Sequence, residues 1–600
     1  MNERKEELWL ERGGNLLDRH WKSIVVASWL IFCAIFIYQR WAGIHGFALG
    51  DTDDNLRMSQ VRALLAGQDW FDLRQYRLNP PDGANVHWSR LVDLPIAGLI
   101  LLLRPFVGGA DAERIAVTIA PLLPLLLMLV SVALIARRLV DRRAYPLALV
   151  ALFFAGSTTS MFMPLRIDHH GWQLAFLSLA VAGLADPKRA RGGATLGLAT
   201  ALSLAIGLEL LIYLAIAGAA AVLFWIDDAG QRRRLASYAA TAGGGTALAY
   251  LLFASHDNRQ PVCDALSPVW LSNAMLGGAL LLALAFFTPG DWKRRLALAA
   301  GAGLVVAAFH ALSWPHCLSR LEGVSPEVER LWLSYVREAR PVYRHGWEVA
   351  PLILALPVTG VIGWSLLIWR NRPDRELLRR TLAAALPALA ATALLFWQTR
   401  TGPAAQMLAV IGAIAIPWVL APIAWRSDRA VVRVLGVSAV VLVGLGAAVP
   451  LAANLKPQRE RTEREIAIAR ANRLCNSLHG MRPVAQQPKG MVFTFVDLGP
   501  RLITITHHSS VTGPYHRNGE QIADSMNAFR GDEAQARAII AGKYRSDYLL
   551  TCPMSSTHTI FMSEARDGFY GRLERGQVPG WLEPVELPDG SPFKMWRVSR

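Results

Sequence analysis

Apolar runs of about 17–25 residues recur from Ser23 to Ala453, each long enough to cross about 30 Å of hydrocarbon as a helix. A chain that repeats such runs has to place them in a bilayer, so a soluble fold is excluded. Hydrophobic residues make up 53% of the 600, and mean hydropathy is +0.29. The formal charge of +16 would ordinarily suggest a nucleic-acid partner. The Lys and Arg residues, however, gather in short loops between the apolar runs, where they report topology. No nucleic acid is expected.

The basic loops alternate with the others in one threading. Arg4, Lys5, Arg12, Arg19 and Lys22, then Arg137 to Arg143, Lys188 to Arg191, Arg232 to Arg234, Lys293 to Arg295, Arg370 to Arg380 and Arg426 to Arg429 fall on the cytoplasmic side. The spans predicted by hydropathy are 23–42, 113–136, 145–163, 171–185, 193–207, 209–226, 236–254, 267–287, 296–312, 349–369, 380–397, 404–424 and 430–453, about thirteen in all. An odd number puts the C-terminal tail outside. The apolar piece 94–106 is short, contains Pro95 and ends in Arg104-Pro105; counting it as a span would misplace Arg137 to Arg143, so it reads as re-entrant or interfacial. The charged first 22 residues and the absence of a small-residue cleavage pattern make the first run a signal anchor.

From about Lys456 the composition changes. The stretch 456–473 reads as a charged helix leaving the membrane, Val492 to Val496 as a strand, 532–543 as a helix and Tyr548 to Cys552 as a second strand. The expected organisation is a transmembrane unit over 1–455, with outer loops 43–112 and 313–348, and an extracytoplasmic α/β domain over 456–600. Cys263 and Cys317 lie in outer loops and Cys475 and Cys552 in the outer domain. Two disulfides are compatible with that compartment, as are four free thiols, and pairing does not follow from sequence.

Two polar clusters stand at one membrane face. Arg166-Ile-Asp-His-His-Gly171 separates two apolar stretches, and Asp51-Thr-Asp-Asp-Asn-Leu-Arg57 follows the first span. Ionisable groups there are costly unless they meet water, a cation or a substrate. Hard divalent cations take oxygen ligands and Mn²⁺ also accepts imidazole, so Asp51, Asp168 and His170 are candidate ligands for Mg²⁺ or Mn²⁺. The competing reading is that Asp51, Asp53 and Asp54 cap the following helix. His169 and His87, the latter in His87-Trp88-Ser-Arg90, are weaker candidates. The long loop 313–348 carries Glu322, Glu327, Glu329, Glu338 and Glu348, a pattern that is usually a solvated face.

About thirteen spans, Asp51 with Arg57 six positions on, the Asp168-His-His170 motif, a long loop after the ninth span and an outer C-terminal domain together resemble the catalytic subunit of oligosaccharyltransferases, within the GT-C class of polyprenyl-dependent glycosyltransferases. Tyr335-Val-Arg-Glu338-Ala-Arg-Pro341 is similar to the loop motif of that family, which implies a catalytic role for Glu338 beside Asp51 and Asp168. Phe495-Val-Asp497-Leu-Gly499 stands where the family has Trp-Trp-Asp-Tyr-Gly; the Asp and Gly are kept and the tryptophan pair that reads the acceptor hydroxyl is not.

The resemblance implies transfer of a sugar or oligosaccharide from a polyprenyl (di)phosphate donor to an extracytoplasmic acceptor, at the outer face of a bacterial inner membrane. Without the tryptophan pair, the acceptor is expected to be a glycan or lipid rather than a sequon asparagine of a protein. Arg57 and Arg166 are expected at the donor phosphate, and Asp497 and His516 at the acceptor. A transferase of single sugars from polyprenyl monophosphate is the near alternative, and a flippase for lipid-linked glycans is the alternative from another class. The flippase reading predicts paired charges at the bilayer midplane, whereas the acidic residues here lie in loops.

Overall fold

A computed structural model describes residues 15–319, 323–455 and 460–599. Arg4, Lys5, Arg12, Glu322 and Lys456 lie outside the described residues. Every predicted span falls on helix, but the helices are not equally suited to crossing a bilayer. Among the described residues seven are long and apolar enough, or up to nine if each bent pair forms one span, which is short of the thirteen expected. These helices make the chain an integral membrane protein. The difference has a compositional cause. His170–Ala185 and Leu211–Asp227 are apolar but shorter, while Arg189–Ile206 and Arg232–Phe253 exchange large apolar side chains for Gly, Ala and Thr. Small residues let those two helices approach closely; a Cβ on Gly193 would lie 2.1 Å from the Arg234 carbonyl. Two predicted spans are bent. Tyr145–Phe154 turns by 79° into Gly156–Phe162, and Val432–Gly444 turns by 98° into Ala448–Leu455.

The ambiguous piece 94–106 forms its own helix, Asp93–Val107, separate from the long helix Gly109–Leu139. Ile96, Ala97 and Ile100 pack inward while Leu101, Leu102 and Phe106 are exposed. Its neighbour in sequence, the helix Thr52–Leu65, is polar yet buried along most of its length. That burial is possible because its charges are paired within the protein.

The C-terminal region carries a five-stranded sheet: β1 (Met491–Phe493), β2 (Ser509–Ser510), β3 (Tyr548–Thr551), β4 (Leu582–Val585) and β5 (Lys594–Val598), in the order β2-β1-β3-β5-β4. β1 pairs in parallel with β2 and β3, whereas β5 runs antiparallel to β3 and β4. The charged helix is Glu463–Cys475; Thr462 caps it, its hydroxyl accepting from the Glu465 N–H while the Glu465 carboxylate accepts from the Thr462 N–H. Cys475–Cys552 and Cys263–Cys317 are both disulfides. Cys33 is free and buried within the first helix.

This region is fastened to the first long loop. Arg501 donates to the Asn55 side chain and the Phe47 carbonyl, each at 3.0 Å, and Arg77 donates to the carbonyls of Thr506 and His508 at 2.5 and 2.6 Å. Leu56, Leu73, Leu78, Val86 and Trp88 from the loop share one buried cluster with Ile503 and Tyr515. The loop 323–348 also docks on it, Val328 and Leu331 entering the apolar core of the sheet region.

Candidate active site

Three parts of the chain thus meet, and a cavity of about 1670 Å³ opens where they do. Asp51 and Asp53 line it from the start of helix Thr52–Leu65, His170 from the start of helix His170–Ala185, Glu338 from the long loop, and Asp497 and His516 from the C-terminal region. Each is placed by local structure. Asp51 is the N-cap of helix Thr52–Leu65, its Oδ1 accepting from the Thr52 N–H at 2.6 Å. Its other oxygen accepts from Arg166 at 2.9 Å, so capping and a role in the cluster coexist. Asp54, buried one turn on, accepts from the Asp168 N–H at 3.0 Å and fixes the second cluster against the first. Asp168 accepts from the His170 N–H at 3.1 Å. Asp497 sits in a short 3₁₀ turn before the helix Gly499–Ile505. Gly499 is required there, because a Cβ would strike the Thr512 carbonyl.

Arg166 is the centre of the acidic cluster. Its guanidinium bonds Asp51, Asp54 and Asp168 at once. One cation among four carboxylates leaves an excess of negative charge, which adds to burial in raising two of them. Enclosure, then the charges of Asp51 and Asp168, push Asp53 up to about 7. Burial, with Asp168, Asp51 and Asp53, raises Asp54 well above the usual carboxylate range despite Arg166. Burial acts to raise Asp168 too, but Arg166, His170 and His169 outweigh it and hold that carboxyl below its usual value. Burial and the nearby Asp51 bring Asp497 to about 6. A set of oxygen donors with surplus negative charge and one imidazole suits a hard divalent cation. The expected ligands Asp51, Asp168 and His170 do not gather three ligand atoms within 4.8 Å of one another; Arg166 bridges the two carboxylates instead.

Arg57 is a correction. Expected at the donor phosphate, it is completely buried, bonds Asp93 at 2.8 Å and the Ser89 carbonyl at 3.3 Å, and lies 4.2 Å over the Trp88 ring. It braces the first loop and does not line the cavity. Glu338 is exposed and makes a 3.4 Å contact with Arg400, so it shares the cavity with Asp51 without touching the cluster around Arg166.

Two carboxylates of the cavity wall escaped the sequence reading. Glu209 accepts from Gln173 at 2.5 Å, pairs with His169 at 2.9 Å and lies 3.7 Å from His87. Its sequence signal was an acid in the short break between two apolar runs. Asp264 meets His516 at 2.6 Å and takes two bonds from Arg517. Only its position beside Cys263 in a loop marked it. Burial lowers the His87 pKa to about 4, Glu209 opposing.

Solved structures similar to this chain include those of an archaeal oligosaccharyltransferase. The archaeal oligosaccharyltransferase AglB of Archaeoglobus fulgidus, in complex with an inhibitory peptide and a dolichol-phosphate, superimposes with a TM-score of 0.66 at 15% identity, covering 97% of this chain and 75% of that one. The chain has an oligosaccharyltransferase-like fold. The same archaeal enzyme tethered to an acceptor peptide containing the NVT sequon gives 0.65 at 14% identity, covering 98% and 75%. Its complex with Zn and sulfate gives 0.60 at 15%, covering 96% and 73%. At the level of sequence, no protein-family model and no curated protein matches the chain.

Proposed function

We propose that this protein is a membrane glycosyltransferase that moves a sugar or oligosaccharide from a polyprenyl (di)phosphate to an acceptor on the extracytoplasmic side of a bacterial inner membrane. The observation that carries the reading is the convergence of Asp51, Asp53, His170, Glu338 and Asp497 on one cavity in an oligosaccharyltransferase-like fold. Its volume of about 1670 Å³ exceeds the roughly 300–1,000 Å³ of an ordinary small-molecule site, as two substrates meeting there require. The boundary near residue 456 divides a membrane unit from the acceptor-side domain in this reading, and thirteen crossings give the required sidedness.

With Arg166 displaced from between them, Asp51, Asp168 and His170 would hold Mg²⁺ or Mn²⁺, which when bound would offset the charge of the leaving phosphate. Arg166, released from those carboxylates by the cation, would contribute positive charge at the donor phosphate. Glu338 and Asp497 line the same cavity, and one of these carboxylates would orient the acceptor nucleophile as positive charge develops on the sugar. Asp497, which ionises near 6, is charged at neutral pH and suited to accept the nucleophile's hydrogen bond.

A glycan or lipid acceptor is favoured over a sequon peptide by Phe495 and Val496. Phe495 is packed against Phe529, Phe561 and Tyr570 with ring centres 5.0–5.6 Å apart, and neither side chain offers a donor to a hydroxyl. The test is purified protein with a lipid-linked donor pool and two acceptors side by side, a sequon peptide and an envelope glycolipid fraction. Glycosylated lipid is the expected product. Glycosylated peptide would overturn the acceptor while leaving transfer in place, and no product with either would overturn the transferase.

A further inference from the structure

On the cavity wall away from Arg166, His87, Asp264 and His516 each offer a ligand atom, and the three atoms lie within 4.8 Å of one another. His516 Nε2 is 2.6 Å from Asp264 Oδ2, and the His87 and His516 rings are 4.9 Å apart. The three residues come from separate parts of the chain. His87 precedes the buried Trp88 in the first loop, Asp264 follows the disulfide-bonded Cys263, and His516 opens a turn of the C-terminal region.

From this we infer that His87, Asp264 and His516 form a second metal site, separate from the carboxylate cluster and selective for Zn²⁺. Two imidazoles and one carboxylate are a borderline donor set that suits Zn²⁺ better than Mg²⁺, which prefers oxygen throughout. All three side chains are only partly buried against the cavity, so a coordination position stays open to water or to a substrate oxygen.

The surroundings are those a ligand set needs, since carboxylates that bind metals are themselves held by hydrogen bonds. Arg517 donates to both Asp264 oxygens, at 2.8 and 2.7 Å, and its remaining bonds go to the side-chain oxygens of Asn85 and Asn258 at 3.0 and 2.8 Å. Asn258 in turn donates to the His87 carbonyl at 3.3 Å. Glu209, 3.7 Å from His87 Nε2, adds a second carboxylate. Against the single guanidinium of Arg517, the wall keeps a net negative charge. The ion would take the place of the hydrogen bond between His516 Nε2 and Asp264 Oδ2, with His516 binding through Nε2 and its single ring proton on Nδ1. The other gathered group, Cys263 with His316 and Cys317, has its sulfurs joined in a disulfide and offers no thiolate.

Such an ion would join the first loop, the Asp264 loop and the C-terminal region at one point. The test reads binding alone, so it is separate from the transferase proposal. Full-length protein in detergent is stripped with EDTA, titrated with Zn²⁺ by calorimetry and measured for metal content after gel filtration. Wild type is compared with His516→Gln and His87→Gln, and with Asp51→Asn/Asp168→Asn, which disables the carboxylate cluster. Gln at 516 can still donate to Asp264, and unfolding midpoints in EDTA check that the variants fold. The expected result is one Zn²⁺ retained by Asp51→Asn/Asp168→Asn. Each His variant should hold one Zn²⁺ fewer than wild type, its affinity reduced by at least about the 10–100-fold that loss of a mere supporting partner costs. Zn²⁺ content unchanged in both His variants, or absent from the Asp51→Asn/Asp168→Asn protein, would overturn the site.

Discussion

Asp51 and Arg166, 115 residues apart in sequence, meet at 2.9 Å. The guanidinium thereby occupies the space among the carboxylates that a divalent cation would need. Cation and arginine are therefore in competition. Arg166→Gln should raise the affinity for Mn²⁺ by about tenfold or more, one removed charge at about 4 Å being worth several kcal/mol at an effective dielectric of 20. Calorimetry on the purified variant measures it, and weaker binding would show that Arg166 supports the cation site instead of filling it.

Asp51→Asn and Asp168→Asn should each reduce transfer on the order of 10²-fold or more while leaving folded protein, as removal of charge stabilisation at a reacting phosphate does. Addition of EDTA should have a similar effect. Turnover of each variant, normalised to the monodisperse fraction, is the readout; wild-type rates would remove the cluster from the reaction.

Asp497 supplies the pH dependence. Its folded pKa of about 6 lies above its ordinary 3.8, so between about 4 and 6 the folded chain binds more protons than the unfolded one. Its contribution to stability therefore falls as pH rises through that window and levels off above it. Thermal unfolding of wild type relative to Asp497→Asn, from pH 4 to 8, should show wild type losing ground up to about pH 6 to 7 and then running parallel. A flat difference would contradict the buried carboxyl.

Arg57→Met should act on folding and not on donor binding. It would leave the buried Asp93 with Arg90 as its remaining ion-pair partner, and breaking a buried pair costs about 3–5 kcal/mol. A large drop in unfolding midpoint with unchanged KM for the lipid donor is the expected pattern. A raised KM in well-folded protein would return Arg57 to the phosphate.

Phe495→Trp should not create activity on sequon peptides, because the ring at this position is surrounded by Phe529, Phe561 and Tyr570. Overpacking a filled core costs about 1–3 kcal/mol, so a lower unfolding midpoint is expected in its place. Peptide glycosylation by the variant would show that residue 495 reads the acceptor.

The sequence was most legible where one residue sets its own environment. Asp51, Asp168, Glu338 and Asp497 were recognisable as acids in loops or as parts of a motif, and Asp51, Glu338 and Asp497 line one cavity that Asp168 adjoins through Arg166. It was least legible where the partner decides the role. Arg57 looks like a free cation until Asp93 and Trp88 enclose it. Glu209 looks like a turn residue until His169 and His87 reach it from two other segments. Hydropathy is a weaker guide in Arg189–Ile206 and Arg232–Phe253, where close backbone packing replaces apolar bulk.

The bonds from Arg501 to Asn55 and Phe47 also impose an order in time. Asn55 leaves the ribosome 446 residues before Arg501, with almost the whole membrane bundle still to be made. Throughout that interval the polar helix Thr52–Leu65 lacks the partner that completes its buried face. The bundle can insert, yet the cavity lacks the wall that carries Asp497 and His516 until the last hundred or so residues have been made and have docked. A premature stop beyond residue 455 would therefore leave a membrane-embedded but inert chain, which makes the C-terminal region the final checkpoint of assembly.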